Sequence, residues 1–309
     1  MNHEKHYNTL NNYYKDKYGT KVFKLSLNGN FSCPNRDGKC GTGGCSFCSI
    51  FGSGDFAGSA QDSIKDQFLK QKAMMNKKWD GKYIIYFQAN TNTYAPLEKL
   101  KSLFEEAILL DPNVVMLSIA TRPDCLEDDV LNYLSDLNSR ISVQVELGLQ
   151  TIHEETAFLF NRGYNLPMFD KAVHSLREKN IEVVVHIING LPNENKDMMI
   201  ETVKHLNTLD IQGIKIHMLH LMYGTKMGND YLSKSFKVLS LDEYVDIVIE
   251  QILWLRKEII IHRLTGDAKK DMLITPTWTL KKFVTTNEID KKLRTLNKYQ
   301  GDYYEKFNN

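Results

Sequence analysis

Short apolar, β-branched runs recur along the chain, with helix-spaced segments between them. Six stand out: Val22–Leu27, Tyr83–Phe87, Val114–Ile119, Ile141–Val145, Ile181–Val185 and Ile211–Ile216. Between them, Leu97, Leu100, Phe104, Ala107 and Ile108, then Val130, Leu131, Leu134 and Leu137, repeat at the three-and-four spacing of an amphipathic helix. Alternation of this kind predicts an α/β fold with a parallel sheet of right-handed β-α-β units, each roughly thirty to forty residues long. The first unit is longer because it carries a cysteine-rich loop. Six units permit a partial barrel or a doubly wound open sheet, and the spacing does not choose between them. Both architectures bind ligands at the carboxyl ends of the strands, so the polar and glycine-rich residues after each run become site candidates. Turn and cap preferences account for about half of those residues.

Beyond Gly224–Thr225 the rhythm stops. An amphipathic helix around Leu241–Lys257 leads to the run Ile259–Asp267. The pattern divides the chain into an N-terminal extension (1–20), a β/α core (21–267) and a C-terminal extension (268–309). Both ends mix lysines with tyrosines: Tyr7, Tyr13, Tyr14 and Tyr18 at one, Tyr299, Tyr303 and Tyr304 at the other. Such ends can hold a nucleic-acid backbone and stack on unpaired bases, or they can be a solvated surface with packing tyrosines.

Composition narrows the class. The 309 residues are 42% hydrophobic and 25% charged, with a net charge of +1, as in an ordinary globular chain with a sizeable core. No apolar run approaches a membrane span, and the polar first residues lack a signal-peptide core, so a cytoplasmic protein is expected. In that reducing compartment five cysteines read poorly as disulfides. Four of them, Cys33, Cys40, Cys45 and Cys48, fall within sixteen residues and point to a metal site. Four thiolates could close a structural zinc knuckle, whereas three on an iron-sulfur cube would leave one iron open. Position favours the cube, because the loop interrupts a large domain where ligands bind rather than stapling a small one.

Cys33 followed after eleven residues by Cys45 and after two more by Cys48, in Cys-Pro-Asn-Arg-Asp-Gly and Gly-Gly-Cys-Ser-Phe-Cys, resembles the radical S-adenosylmethionine (SAM) enzymes. In particular the chain is similar to the bacterial YhcC/YtqA-type branch, itself similar to the catalytic subunit of Elongator. Residues 88–94, 121–124, 146–151, 161–163, 190–192 and 262–267 carry the same resemblance across almost the whole chain. It implies a partial (β/α)6 TIM-like barrel holding a 4Fe-4S cluster on Cys33, Cys45 and Cys48, with SAM on the open iron. Reductive cleavage of SAM would then give a 5'-deoxyadenosyl radical. Cys40 is an extra thiol without an assigned role, and Cys125 reads as a small buried hydrophobe.

The resemblance and the chemistry of SAM together nominate further residues. Gln88, Asn90, Thr91 and Asn92 follow the second strand, where this superfamily grips the amino group. Glu146, with Gln150 beside it, is expected to accept from the ribose, Arg162 to fork the carboxylate and Phe47 to pack near the adenine. Arg122, His186, His217, His220 and Arg263 are substrate-side candidates, and none is named as an acid or base. The implied substrate is tRNA, with trimming of a wobble-uridine carboxymethylaminomethyl group towards aminomethyl. The implied partner is an electron donor such as flavodoxin or ferredoxin. No room is seen after the barrel for an acetyltransferase domain, so acetyl-CoA chemistry is not expected. The competing readings are radical chemistry on a small molecule or protein, and a zinc-stapled nucleic-acid-binding protein without catalysis.

Overall fold

A computed structural model describes residues 5–49, 54, 56–76 and 80–308. Its strands are β1 (Val22–Leu27), β2 (Lys82–Phe87), β3 (Val114–Thr121), β4 (Ser142–Gln150), β5 (Glu182–Asn189), β6 (Gly213–Met218), β7 (Leu221–Met222), β8 (Ile260–Arg263) and β9 (Leu273–Thr275). Its helices are α1 (Leu10–Tyr18), α2 (Ile64–Asn76), α3 (Leu97–Ile108), α4 (Asp128–Arg140), α5 (Glu154–Leu159), α6 (Leu166–Glu178), α7 (Lys196–Leu206), α8 (Lys226–Ser233), α9 (Leu241–Trp254), α10 (Lys282–Leu296) and α11 (Asp302–Asn308). Among the described residues no helix is long and apolar enough to cross a membrane.

Seven strands form one sheet in the order β1-β2-β3-β4-β5-β6-β8, every pair parallel. The order never reverses, so the switch point of a doubly wound sheet is missing and the sheet curls into a half-barrel. The curl shows in its interior. In a flat sheet β1 and β4 would lie three strand spacings, about 14 Å, apart. Yet Lys24 Nζ on β1 reaches Glu146 Oε1 on β4 at 2.5 Å.

Alternation along each strand separates two environments. Leu25, Ile85, Leu117, Val145, Val185 and Ile216 point outward into one continuous core with the surrounding helices. Lys24, Tyr86, Ser118, Glu146, His186 and Lys215 are the intervening residues and turn inward. At the amino end of the barrel α1 forms a plug: Tyr14 packs with Ile84 and Met116, flanked by Leu10 and Tyr18.

The partial barrel expected from the sequence is present, with three departures. The rhythm does not stop at six units, because β8 adds a seventh parallel strand beside β6. The insertion of β7, α8 and α9 between them hid it. Strand β4 continues through Glu146 to Gln150, residues read as a loop, and its register shifts between Gly148 and Gln150. The tyrosines of the basic ends are largely spent on packing: Tyr14 in the plug, Tyr7 and Tyr303 against the main core, and Tyr303 edge-on to Trp254 at 5.8 Å. The C-terminal segment joins the same core through Ile289 and Leu293 of α10.

Candidate functional site

A cavity of about 590 Å³ runs from the loop after β1, across the carboxyl ends of the strands, down to the barrel floor. Its rim is set by the cysteine loop, which ties itself to a neighbouring helix end. Cys33 C=O accepts from Arg36 N–H at 2.8 Å, Cys40 N–H donates to Pro34 C=O at 3.0 Å, and Gly44 N–H donates to Asn35 C=O at 2.8 Å. Buried Asn35 donates through Nδ2 to Asn161 C=O at 2.6 Å, and Asn161 Nδ2 donates back to Gly44 C=O at 3.0 Å. Gly44 takes a φ of +79°, the left-handed region that glycine enters without penalty. A Cβ there would lie 3.0 Å from Arg36 Nε.

This folding sorts the cysteines. Cys33, Cys45 and Cys48 border the cavity, whereas Cys40 is exposed outside it and Cys125 is buried. Cys45 and Cys48 share a hydrogen bond, which pushes the Cys45 thiol up and, with Arg36 nearby, holds the Cys48 thiol low. Among the described residues no three His, Cys, Asp or Glu side chains close on one point as the ligands of a single ion do. Three soft thiols spread along one rim, beside a glycine that leaves backbone room, suit a bulkier iron-sulfur core. The fourth thiol that a zinc knuckle would need, Cys40, is exposed and accepts from Arg122 Nη2 at 3.5 Å.

Of the residues nominated for SAM, Phe47, Gln88, Asn90, Thr91, Glu146 and Gln150 line this cavity. Two do not. Asn92 is fully buried, its Nδ2 donating to the carbonyls of Phe87 and Ala120 at 3.1 and 2.8 Å. Arg162 is only 1% exposed, and its guanidinium donates to the carbonyls of Leu149, Thr151 and Tyr164 and to Glu154 at 2.7–3.2 Å. Those bonds leave no fork for a ligand carboxylate. Arg162 stitches the end of β4 to the loop before α6, and the expectation of a carboxylate-binding Arg at this position is corrected.

Glu146 lies at the floor rather than the rim, 1% exposed. Its Oε1 accepts from Lys24 Nζ at 2.5 Å and Ser118 Oγ at 2.9 Å, while Oε2 faces His186 Nε2 at 2.7 Å and the Lys215 ammonium. Burial would raise this carboxyl, but Lys215, Lys24 and His186 outweigh it and hold the group well below the usual carboxylate range. With both oxygens committed, Glu146 is a floor counter-ion, and Gln150 is the member of the expected ribose pair at the loop end of β4.

Arg122, His186, His217, His220 and Arg263, the expected substrate-side residues, all border the cavity. Burial lowers His186 and His220 to about 4, and pushes His217 and His262 well below the ordinary imidazole value. The floor therefore carries neutral imidazoles at pH 7. Lys24, Lys215 and Tyr86 were missed by sequence reasoning. Their signal was available: Lys24 and Lys215 are charged residues at inward positions of strands whose outward residues are apolar. Burial lowers Lys215 to about 7, with Lys24 adding to the effect and Glu146 opposing it.

Residues 38–206 match the radical SAM superfamily, and residues 211–295 match the radical SAM C-terminal domain. YtqA of Bacillus subtilis strain 168 is 50% identical over 306 residues, covering 99% of this chain and 95% of that protein. YhcC of Escherichia coli K12 is 35% identical over 280 residues, 90% of this chain and 89% of that one. A tRNA uridine(34) acetyltransferase of Methanocaldococcus infernus is 26% identical over 137 residues, 43% of this chain and 25% of that protein. The structure of archaeal Elp3 from the same organism superposes with a TM-score of 0.65 at 16% identity, covering 88% of this chain and 63% of that one. At that identity the superposition speaks for the fold alone.

Proposed function

The chain belongs to the radical SAM superfamily, in its YhcC/YtqA-type branch, and from that premise we propose that it modifies tRNA at the wobble uridine. The reaction proposed is the oxidative trimming of a carboxymethylaminomethyl substituent to aminomethyl: SAM would serve as the two-electron oxidant, ending as methionine and 5'-deoxyadenosine, and water would break the N–CH2 bond and release the carboxymethyl carbons as glyoxylate. When bound, a 4Fe-4S cluster and SAM supply the electron and the 5'-deoxyadenosyl radical with which this superfamily abstracts hydrogen. The chain's part is to bind, orient and exclude water. Cys33, Cys45 and Cys48 would hold the cluster. Gln88, Asn90 and Thr91 would hold the amino group of SAM, Gln150 its ribose and Phe47, packed on Phe160 at 5.3 Å, its adenine. Arg122 and His217 face the substrate. The plug formed by α1 closes the floor, so substrate and cofactor both enter at the carboxyl end. A flavodoxin or ferredoxin is the proposed electron donor.

One observation carries the radical chemistry: three of the four clustered thiols, and not Cys40, border a cavity shared with the polar strand ends. The tRNA assignment is supported by the similarity to a tRNA uridine(34) acetyltransferase. This chain spans only a quarter of that protein, so its acetyl transfer is not carried over. The test is the modified-nucleoside profile of tRNA from cells with and without the gene. Accumulation of carboxymethylaminomethyluridine in the deletion supports the reading. Unchanged wobble uridines would remove the tRNA assignment.

A further inference from the structure

The cavity floor carries more positive charge than its carboxylates neutralise. Lys24 on β1 and Lys215 on β6 share one partner, Glu146 on β4. Asp267, the other carboxylate among the described residues bordering the cavity, pairs with Arg263 at 3.0 Å. The remaining titratable groups at the floor are His186, His217 and His262, which burial keeps neutral at pH 7, and Tyr86, whose hydroxyl burial pushes up. The Tyr86 ring places its π-face 4.5 and 4.7 Å from the two ammonium groups, and its hydroxyl bonds to the same Glu146. Two amines share one carboxylate, so protonation of both leaves a positive charge in a desolvated place without an anion; the lowering of Lys215 to about 7 reflects that strain, and a ligand of opposite charge relieves it by keeping both amines protonated. The place is reachable from the cavity: the Lys24 and His186 side chains are 21% and 24% exposed.

We propose that Lys24 and Lys215 form a binding site for a carboxylate of the substrate, with Glu146 holding the two ammonium groups apart and oriented. The carboxylate supplies the missing charge and accepts charge-assisted hydrogen bonds from both lysines. Neutral His186 and His217, 5.4 Å apart, line its approach. The identity of the ligand as the carboxymethylaminomethyl group rests on the wobble-uridine reading. The charge imbalance does not. That substituent ends in a carboxylate on a slender, unbranched chain.

The test uses the cluster- and SAM-loaded protein at pH 7 and two probe pairs. One is an anticodon stem-loop RNA with carboxymethylaminomethyluridine at the wobble position, against its carboxamide. The other is N-benzylglycine against N-benzylglycinamide, which keeps the methylene-amine-carboxylate arm and removes the RNA. Wild type is expected to bind the acid about tenfold or more tighter than the amide. In Lys215→Met, and in Lys24→Gln at the more exposed end of the pair, that preference falls to about threefold or less with amide binding unchanged. Circular dichroism and SAM binding confirm that the variants are folded. Preference for N-benzylglycine that depends on the lysines, with no discrimination between the RNAs, keeps the site and removes the tRNA reading. No preference in wild type with either pair, or a preference that survives in both variants, overturns the site.

Discussion

Replacing Glu146 by Gln removes the one carboxylate that two lysines and a histidine share, while keeping the side chain's volume. Breaking a buried ion pair from one side costs about 3–5 kcal/mol, because the opposite charge is left without compensation. Here the cost has an escape route. Lys215, already lowered to about 7, sheds its proton when the carboxylate is gone, and each unit by which its pKa falls further is worth about 1.4 kcal/mol. The sign follows from proton counting. The unfolded chain holds this lysine protonated up to about pH 10, so wherever the folded state has released the proton, stability rises with pH. In the wild type that window opens near pH 7, and in Glu146→Gln it opens lower. The penalty should therefore be about 3 kcal/mol or more at pH 6 and smaller by at least about 1 kcal/mol at pH 8.5. Urea unfolding of both proteins at the two pH values, kept anaerobic, measures the difference. A penalty under about 1 kcal/mol that is the same at both values would refute Glu146 as the counter-ion of the floor.

Three further outcomes are expected. Cys33→Ala, Cys45→Ala and Cys48→Ala should each lose bound iron and sulfide after anaerobic reconstitution, whereas Cys40→Ala retains both; iron loss in the Cys40 variant would overturn the ligand assignment. Arg162→Ala should lower stability by about 3 kcal/mol, since it leaves several buried carbonyls without donors, and Arg162→Lys should not restore it because a single ammonium cannot reach them all; thermal unfolding of the two variants measures this. Below pH 4 the wild type should lose the stability that Glu146 contributes, because that carboxylate's folded-state pKa is depressed; an acid titration in which Glu146→Gln shows the same loss would assign it to other carboxylates.

The strands and the cysteine rim were legible in the sequence because each rests on local information. Apolar runs mark β1 to β6 whatever their partners, and a thiol spacing is a property of one loop. Three other features depend on what the fold brings together. The run Ile259–Ile261 becomes a seventh parallel strand only by lying beside β6, across an insertion that breaks the repeat. Lys24 and Lys215 look like ordinary strand lysines until curling of the sheet aims both at Glu146. Arg162 has the composition of a ligand fork, and only tertiary structure shows four groups already using it.

That last case gives the Asn-Arg-Gly segment a coherent role. A loop that is to present three thiols to one cluster, as proposed, binds it best when its shape is fixed beforehand. Asn161, in the left-handed region at φ 58°, holds Gly44 and Asn35 of the loop from its side chain and carbonyl. Arg162 fixes that residue to the end of β4 through Leu149 and Thr151. Gly163 takes φ +81°, and a Cβ there would meet Arg122 Nη2 and Asn35 Oδ1 at 3.2 Å each. The three residues thus form a clamp that joins the cysteine rim to the strand whose middle carries Glu146. Rim and floor are then tied to the same strand, so the spacing between the cysteine loop and Glu146 is set through β4. This makes Asn161→Ala and Gly163→Ala more damaging than their lack of ligand contact implies: both should weaken iron retention while leaving the floor's pH-dependent stability unchanged. Iron content after reconstitution, measured beside urea unfolding at pH 6 and 8.5, separates the two effects. A clamp variant that keeps its iron would show that the loop holds its shape without this segment.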